Sequence, residues 1–238
     1  MWGWRARIGF IVPDCDPVQE SDMFHMAPEG VWVHFTRKHL GQPFGVQDLY
    51  DLSSNLDGYV KLLTSLGLSV IVFGDTFGSF VGGPGYDQKM IERMAKTSGV
   101  KATTTATSVV AALKGLRMKK ISVLTPYPHE VNEALLRFFE GNGFKILQMK
   151  ELELDTDPKI CSVPPETIYY YGKEVFAPEA DGLFISCTTF RAADAIEDLE
   201  TDLGKSVVTP NQATMWNALR MAGIKDRIDG YGQLFKRL

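Results

Sequence analysis

Eight short apolar runs punctuate the chain, at residues 7–12, 31–35, 70–73, 101–104, 120–124, 144–149, 182–186 and 206–208. Runs of this length, rich in Val and Ile and bounded by Gly or Pro, read as buried strands. Most are followed by a longer stretch with apolar residues at helical spacing. The clearest spans residues 48–66, where Leu49, Leu52, Leu56, Val60, Leu63 and Leu66 recur along one face before Gly67. Strand–helix alternation over the whole length predicts an α/β fold of parallel sheet covered by helices on both faces. A break near residues 117–119 separates two halves with the same opening pattern, which reads as an internal repeat of pattern rather than of residue identity. Ligands in such folds bind beyond the carboxyl ends of the strands. Four turns are expected to meet there, at residues 13–17, 74–79, 125–129 and 187–190.

Composition excludes several classes of function. The 238 residues are 45% apolar and 23% charged with a net charge of −4, which fits one globular domain or two small ones. A mildly acidic chain has no electrostatic reason to seek nucleic acid or an anionic membrane. No apolar run approaches the length of a membrane span, and the opening Met-Trp-Gly-Trp-Arg-Ala-Arg has no signal-peptide core. Three cysteines without a dense framework suit a reducing cytoplasm, and no Cys or His pair has zinc-ligand spacing. The Trp2, Trp4 and Trp32 side chains are candidates for a contact in a homo-oligomer.

Two stretches carry the chemistry. In Gly182-Leu-Phe-Ile-Ser-Cys187-Thr188-Thr189-Phe190, a strand stops at a cysteine and a helix is expected from Arg191. The amides of residues 188–190 would then be free to receive an anion, and the helix N-terminus would favour thiolate at Cys187. Val70-Ile-Val-Phe-Gly74-Asp75-Thr76 echoes the pattern. Asp75 reads either as a turn cap or as a base facing Cys187 across one site. Tyr127 reads as packing or as a donor to a carboxylate oxygen, and Asp16 as a helix cap or a site residue. Cys15 and Cys161 lack the strand-end setting of Cys187 and read as structural, and the four histidines share no ligand spacing. Gly82-Gly-Pro-Gly85 lacks the spacing of a nucleotide loop and reads as a mobile flap.

The motifs Gly9-Phe-Ile-Val-Pro13, Met26-Ala-Pro-Glu-Gly30, Gly78-Ser-Phe80, Thr125-Pro-Tyr127 with Val131-Asn132-Glu133, Ser186-Cys187, Thr209-Pro-Asn-Gln-Ala213 and Gly230-Tyr-Gly232 span nearly the whole chain. In order and spacing the chain resembles the Asp/Glu/hydantoin racemase superfamily, in the branch of maleate cis-trans isomerases and arylmalonate decarboxylases. The resemblance implies two Rossmann-like lobes, each a parallel sheet flanked by helices, related by pseudo-two-fold symmetry. The first lobe would comprise residues 1–117 plus 206–238 and the second residues 118–205, with the active site in the cleft. It implies a cofactor-independent enzyme, without metal, that forms and protonates a carbanion beside the carboxylate of a small acid. Cys187 maps onto the family's second-half cysteine, the proton donor of the decarboxylases. The first-half cysteine that isomerases use as a nucleophile is Asp75 here, so a lone Cys187 fits a decarboxylase best. Racemisation or epimerisation with Asp75 and Cys187 comes next, then cis-trans isomerisation; a non-catalytic binding protein is the alternative of a different class. The resemblance places the dioxyanion pocket at Thr76, Tyr127, Cys187 and Thr188, with Phe77 where the family has serine. Asp16 and Asp157 stand where isomerases carry asparagines, and Pro13 and Asn132 complete the substrate-binding set. Three acidic replacements would suit an ammonium group or a cation, or one carboxyl held protonated.

Overall fold

The structure, a computed structural model, describes residues 3–41 and 55–237. Two four-stranded parallel sheets form its frame. The first contains β1 (Ala6–Pro13), β2 (Val31–Lys38), β3 (Val70–Phe73) and β4 (Lys101–Thr104), in the order β2-β1-β3-β4. The second contains β5 (Lys120–Thr125), β6 (Lys145–Glu151), β7 (Gly182–Ile185) and β8 (Ser206–Val208), in the order β6-β5-β7-β8. Each half therefore winds the same way, with its first strand second from one edge and its third strand beside it. The repeat expected from pattern is a repeat of topology.

Eleven α-helices connect the strands among the described residues: α1 (Gln19–Met26), α2 (Leu56–Thr64), α3 (Thr76–Phe80), α4 (Tyr86–Ser98), α5 (Thr105–Gly115), α6 (His129–Gly141), α7 (Asp157–Cys161), α8 (Pro165–Val175), α9 (Ile196–Leu203), α10 (Pro210–Met221) and α11 (Gly232–Arg237). The long helix expected over 48–66 is seen from Leu56, its earlier part lying outside the described residues. Local chemistry accounts for the helix starts. Thr209 caps α10 in a reciprocal capping box with Gln212, and Pro210 follows at the first helical position. The Thr104 side chain accepts the Thr107 amide at the start of α5.

The two central strands are apolar throughout, and every residue of Val70–Phe73 and Gly182–Ile185 is buried. This is the pattern of parallel strands covered on both faces. β8 pairs with β7, so residues 206–208 complete the second sheet. The return to the first half comes only with α10, which packs against α5, α1 and β3. The lobe boundary expected at residue 206 thus cuts through a sheet, because β8 is paired with β7 and buries Val207 and Val208. The glycine-rich stretch 82–85 is the turn between α3 and α4, and Gly85 adopts φ 84° just before α4. No helix among the described residues is long and apolar enough to cross a membrane.

Candidate active site

The carboxyl ends of β1, β2, β3, β5 and β7 surround a small cavity of about 20 Å³, room for roughly one water molecule. Its polar wall consists of Asp75, Tyr127, Asp157, Cys187, Thr188 and Thr189. Pro13, Leu40 and Phe77 supply the apolar part. Both halves of the repeat contribute, since Asp75 follows β3 and Cys187 follows β7.

Cys187 is buried and has φ 85°, a left-handed conformation that costs a non-glycine residue about 1–3 kcal/mol. This kink ends the strand and turns the side chain toward the cavity. The helix expected at Arg191 begins later, as a 3-10 turn over Ala193–Ala195 that leads into α9. Cys187 is therefore not at a helix N-terminus, and the expected bias toward thiolate is absent. Burial pushes the thiol well above its ordinary value, with the negative charge of Asp157 adding to the effect. The Tyr127 hydroxyl interacts with the sulfur and opposes the shift without reversing it. Cys187 is thus a protonated thiol. Tyr127 is also held well above its ordinary value, chiefly by burial, and remains a hydroxyl donor.

The placement of Tyr127 has an identifiable source in Asn132. This side chain is completely buried on the first turn of α6. Its Oδ1 accepts the Thr125 hydroxyl at 2.8 Å and its Nδ2 donates to the Tyr127 carbonyl at 2.8 Å. Asn132 lies outside the cavity wall and braces the turn that carries Tyr127.

Asp75 caps α3, its Oδ1 accepting the Gly78 amide at 2.9 Å. A side chain at residue 78 would place its Cβ 2.7 Å from the Asp75 carboxylate, which accounts for glycine there. The other oxygen, Oδ2, lies 2.7 Å from the ammonium of Lys38. Lys38 is the last residue of β2; its side chain is 0% exposed, against 8% for that of Asp75. The Phe73 ring lies 5.2 Å from the same ammonium. Asp75 is therefore a cap, as one of its two readings had it, and also part of the cavity wall. Its buried counter-ion was not anticipated.

Asp157 opens α7, a helix of five residues. The Cys15 thiol, half-buried, donates to its Oδ2 at 2.8 Å. Burial pushes the Asp157 carboxyl up, while hydrogen bonds from Cys15 and Thr189 oppose the shift. Asp16 is buried behind the wall, its Oδ1 accepting the amides of Val18 and Gln19 at 2.8 and 3.0 Å. Burial raises its carboxyl to about 6. Thr76 is buried beside Asp75, and its hydroxyl has no hydrogen-bond partner among the described residues. A buried hydroxyl in this position is available to a ligand.

The residues brought together at the wall are thus Pro13, Asp75, Tyr127, Asp157, Cys187 and Thr188, with Thr76, Asp16 and Asn132 standing behind it. Lys38 and Leu40 were not singled out as site residues, and Cys15 was read as structural. The signal for Lys38 was positional, because it lies in register with Pro13 at the end of the neighbouring strand. Among the described residues, no group of three or more His, Cys, Asp or Glu side chains is arranged to hold a metal ion.

Known proteins resemble this chain over essentially its full length. The arylmalonate decarboxylase from Bordetella bronchiseptica is 29% identical over 234 residues, covering 96% of this chain and 95% of its own. A maleate isomerase from Nocardia farcinica is 24% identical, covering 97% and 96%. Among solved structures, a doubly substituted arylmalonate decarboxylase in a liganded form superposes with a TM-score of 0.89 at 26% identity, covering 98% of this chain and 100% of that one. A maleate isomerase from Pseudomonas putida S16 with maleate gives a TM-score of 0.92 at 19% identity over 97% of each chain, a likeness of fold. The family model for arylmalonate decarboxylase matches residues 8–235, and the chain belongs to that family.

Proposed function

We propose that the protein is a cofactor-independent decarboxylase of a small malonate-type acid, with Cys187 as the proton donor. The observation that carries the reading is the buried, protonated Cys187 thiol beside the Tyr127 hydroxyl on the cavity wall. A thiol held above its ordinary value is seldom the thiolate that nucleophilic addition needs, and it keeps the proton that an enediolate takes up. That favours proton delivery over covalent addition to a double bond. Position 75, where a second thiol would serve an isomerase, holds a carboxylate engaged with Lys38 and Gly78.

One carboxylate of the substrate would lie against the hydroxyls of Thr76 and Tyr127 and the amide of Thr188. The bond from the α-carbon to the other carboxylate breaks, CO₂ leaves, and the electron pair spreads into the retained carboxylate as an enediolate. Preorganised donors stabilise that developing charge, and such stabilisation is the main source of acceleration in catalysis of this kind. The S–H bond of Cys187 then breaks as its proton passes to the α-carbon. Solvent reprotonates the thiolate, a step that the high proton affinity of this sulfur favours.

Incubation of malonate-type acids in D₂O tests the proposal. CO₂ release with one deuterium at the α-carbon of the product is expected, and Cys187→Ala should lower the rate by about 10²–10⁴-fold. Undiminished turnover in Cys187→Ala, or α-deuteration of monocarboxylic acids without CO₂ release from any malonate, refutes it.

A further inference from the structure

The Lys38–Asp75 pair points to a substrate class. Two buried charges 2.7 Å apart form one wall element, and they present themselves unequally. The ammonium is sealed, and the carboxylate reaches the cavity. Each Asp75 oxygen already accepts one hydrogen bond, Oδ1 from the Gly78 amide and Oδ2 from Lys38. A carboxylate oxygen accepts about two, so each keeps room for one more. The wall therefore presents acceptors, and a ligand lying against it must bring a donor or leave buried lone pairs without one.

The counter-ion decides which donor. A lone carboxylate would select an ammonium group. Here Lys38 already cancels the charge of Asp75, and a second cation at the wall would face that ammonium with little solvent between them. Asp157, the other carboxylate on the wall, accepts from the Cys15 thiol, and burial raises its carboxyl toward the neutral, protonated form. A neutral donor, a hydroxyl, meets the acceptors without this penalty. Phe77 lies beside Tyr127 on the same wall, with ring centroids 6.1 Å apart, and limits the room for a bulky substituent.

We infer that the enzyme acts on malonates whose α-substituent is a hydroxyl, with Asp75 receiving that hydroxyl and Lys38 serving as the positioning residue that offsets the charge of Asp75. The inference rests on the decarboxylase reading of the site and adds the identity of the substituent. On decarboxylation, such a substrate yields CO₂ and a 2-hydroxy acid.

The test compares kcat/KM for CO₂ release from 2-hydroxymalonate, methylmalonate, aminomalonate and phenylmalonate. Hydroxyl and methyl are nearly the same size, so their ratio reads the hydrogen bond. The wild-type enzyme should prefer 2-hydroxymalonate over methylmalonate by at least about tenfold. It should also prefer it over aminomalonate. In the double variant Lys38→Met/Asp75→Leu, the hydroxyl-to-methyl ratio should fall toward one. A ratio near one in the wild type, a preference for aminomalonate or phenylmalonate, or a ratio unchanged in the double variant overturns the inference while leaving decarboxylation standing. CO₂ release from none of the four overturns both. The wild-type ratios decide the matter even where the double variant does not fold.

Discussion

Lys38→Met should destabilise the protein far more than an ordinary lysine substitution, and a second substitution should repair it. At 2.7 Å and an effective dielectric constant of about 20, the attraction between Lys38 and Asp75 is about 6 kcal/mol. Desolvation of each ion costs several kcal/mol, so the intact pair contributes little net stability. Removing the cation alone leaves the Asp75 carboxylate buried with one neutral amide donor, from Gly78. Loss of one member of such a pair costs about 3–5 kcal/mol. For a chain of this length that is a fall in melting temperature of roughly 6–20 °C. Lys38→Met/Asp75→Asn removes both charges and keeps an acceptor for the Gly78 amide, so it should recover most of the loss. Urea denaturation of wild type, both single variants and the double variant gives the coupling energy directly. A Lys38→Met protein within about 1 kcal/mol of wild type, or a double variant no more stable than Lys38→Met, would refute the reasoning.

Three further outcomes are expected. Tyr127→Phe should lower kcat by about 10²-fold through loss of one donor to the enediolate, measured as CO₂ release with circular dichroism as the control for folding. Asn132→Leu, which removes two buried 2.8 Å hydrogen bonds, should cost about 2 kcal/mol in urea denaturation and lower kcat through the turn that carries Tyr127. The third outcome concerns Asp16. Its carboxyl is raised in the fold from 3.8 to about 6, so the folded state prefers the protonated form. Stability from this group is complete below pH 3.8 and is lost as pH rises through about 6. Asp16→Asn copies the protonated form and should gain on wild type by roughly 1–3 kcal/mol between pH 3.5 and pH 7.5. A constant difference across that range would contradict the assignment.

What the sequence made legible follows the range of the forces involved. The strands Val70–Phe73 and Lys101–Thr104 were readable because a short apolar or β-branched run and its flanking breakers carry their own signal. The convergence of strand ends was readable because parallel topology places ligands there. Lys38 was not, since its role depends on a carboxylate 37 residues away, and a lysine at a strand end looks like an exposed one. The protonation state of Cys187 was missed for the same reason: a helix start is a local pattern, whereas the burial that governs the thiol is assembled from both halves of the chain. The helix that Asp157 opens has only five residues, with Pro158 near its start, which leaves little periodicity to detect. Cys187 stood out by its place at a strand end and Thr76 through the resemblance to the family, but neither signal pointed to the counter-ion.

The near-absence of free volume around the Cys187 sulfur has a stereochemical consequence for the proposed reaction. A planar enediolate enclosed there cannot draw a proton from bulk water on either side at random. Its new C–H bond forms on whichever side the sulfur presents, and an acid formed from a malonate with two different α-substituents other than hydrogen leaves as a single mirror-image form.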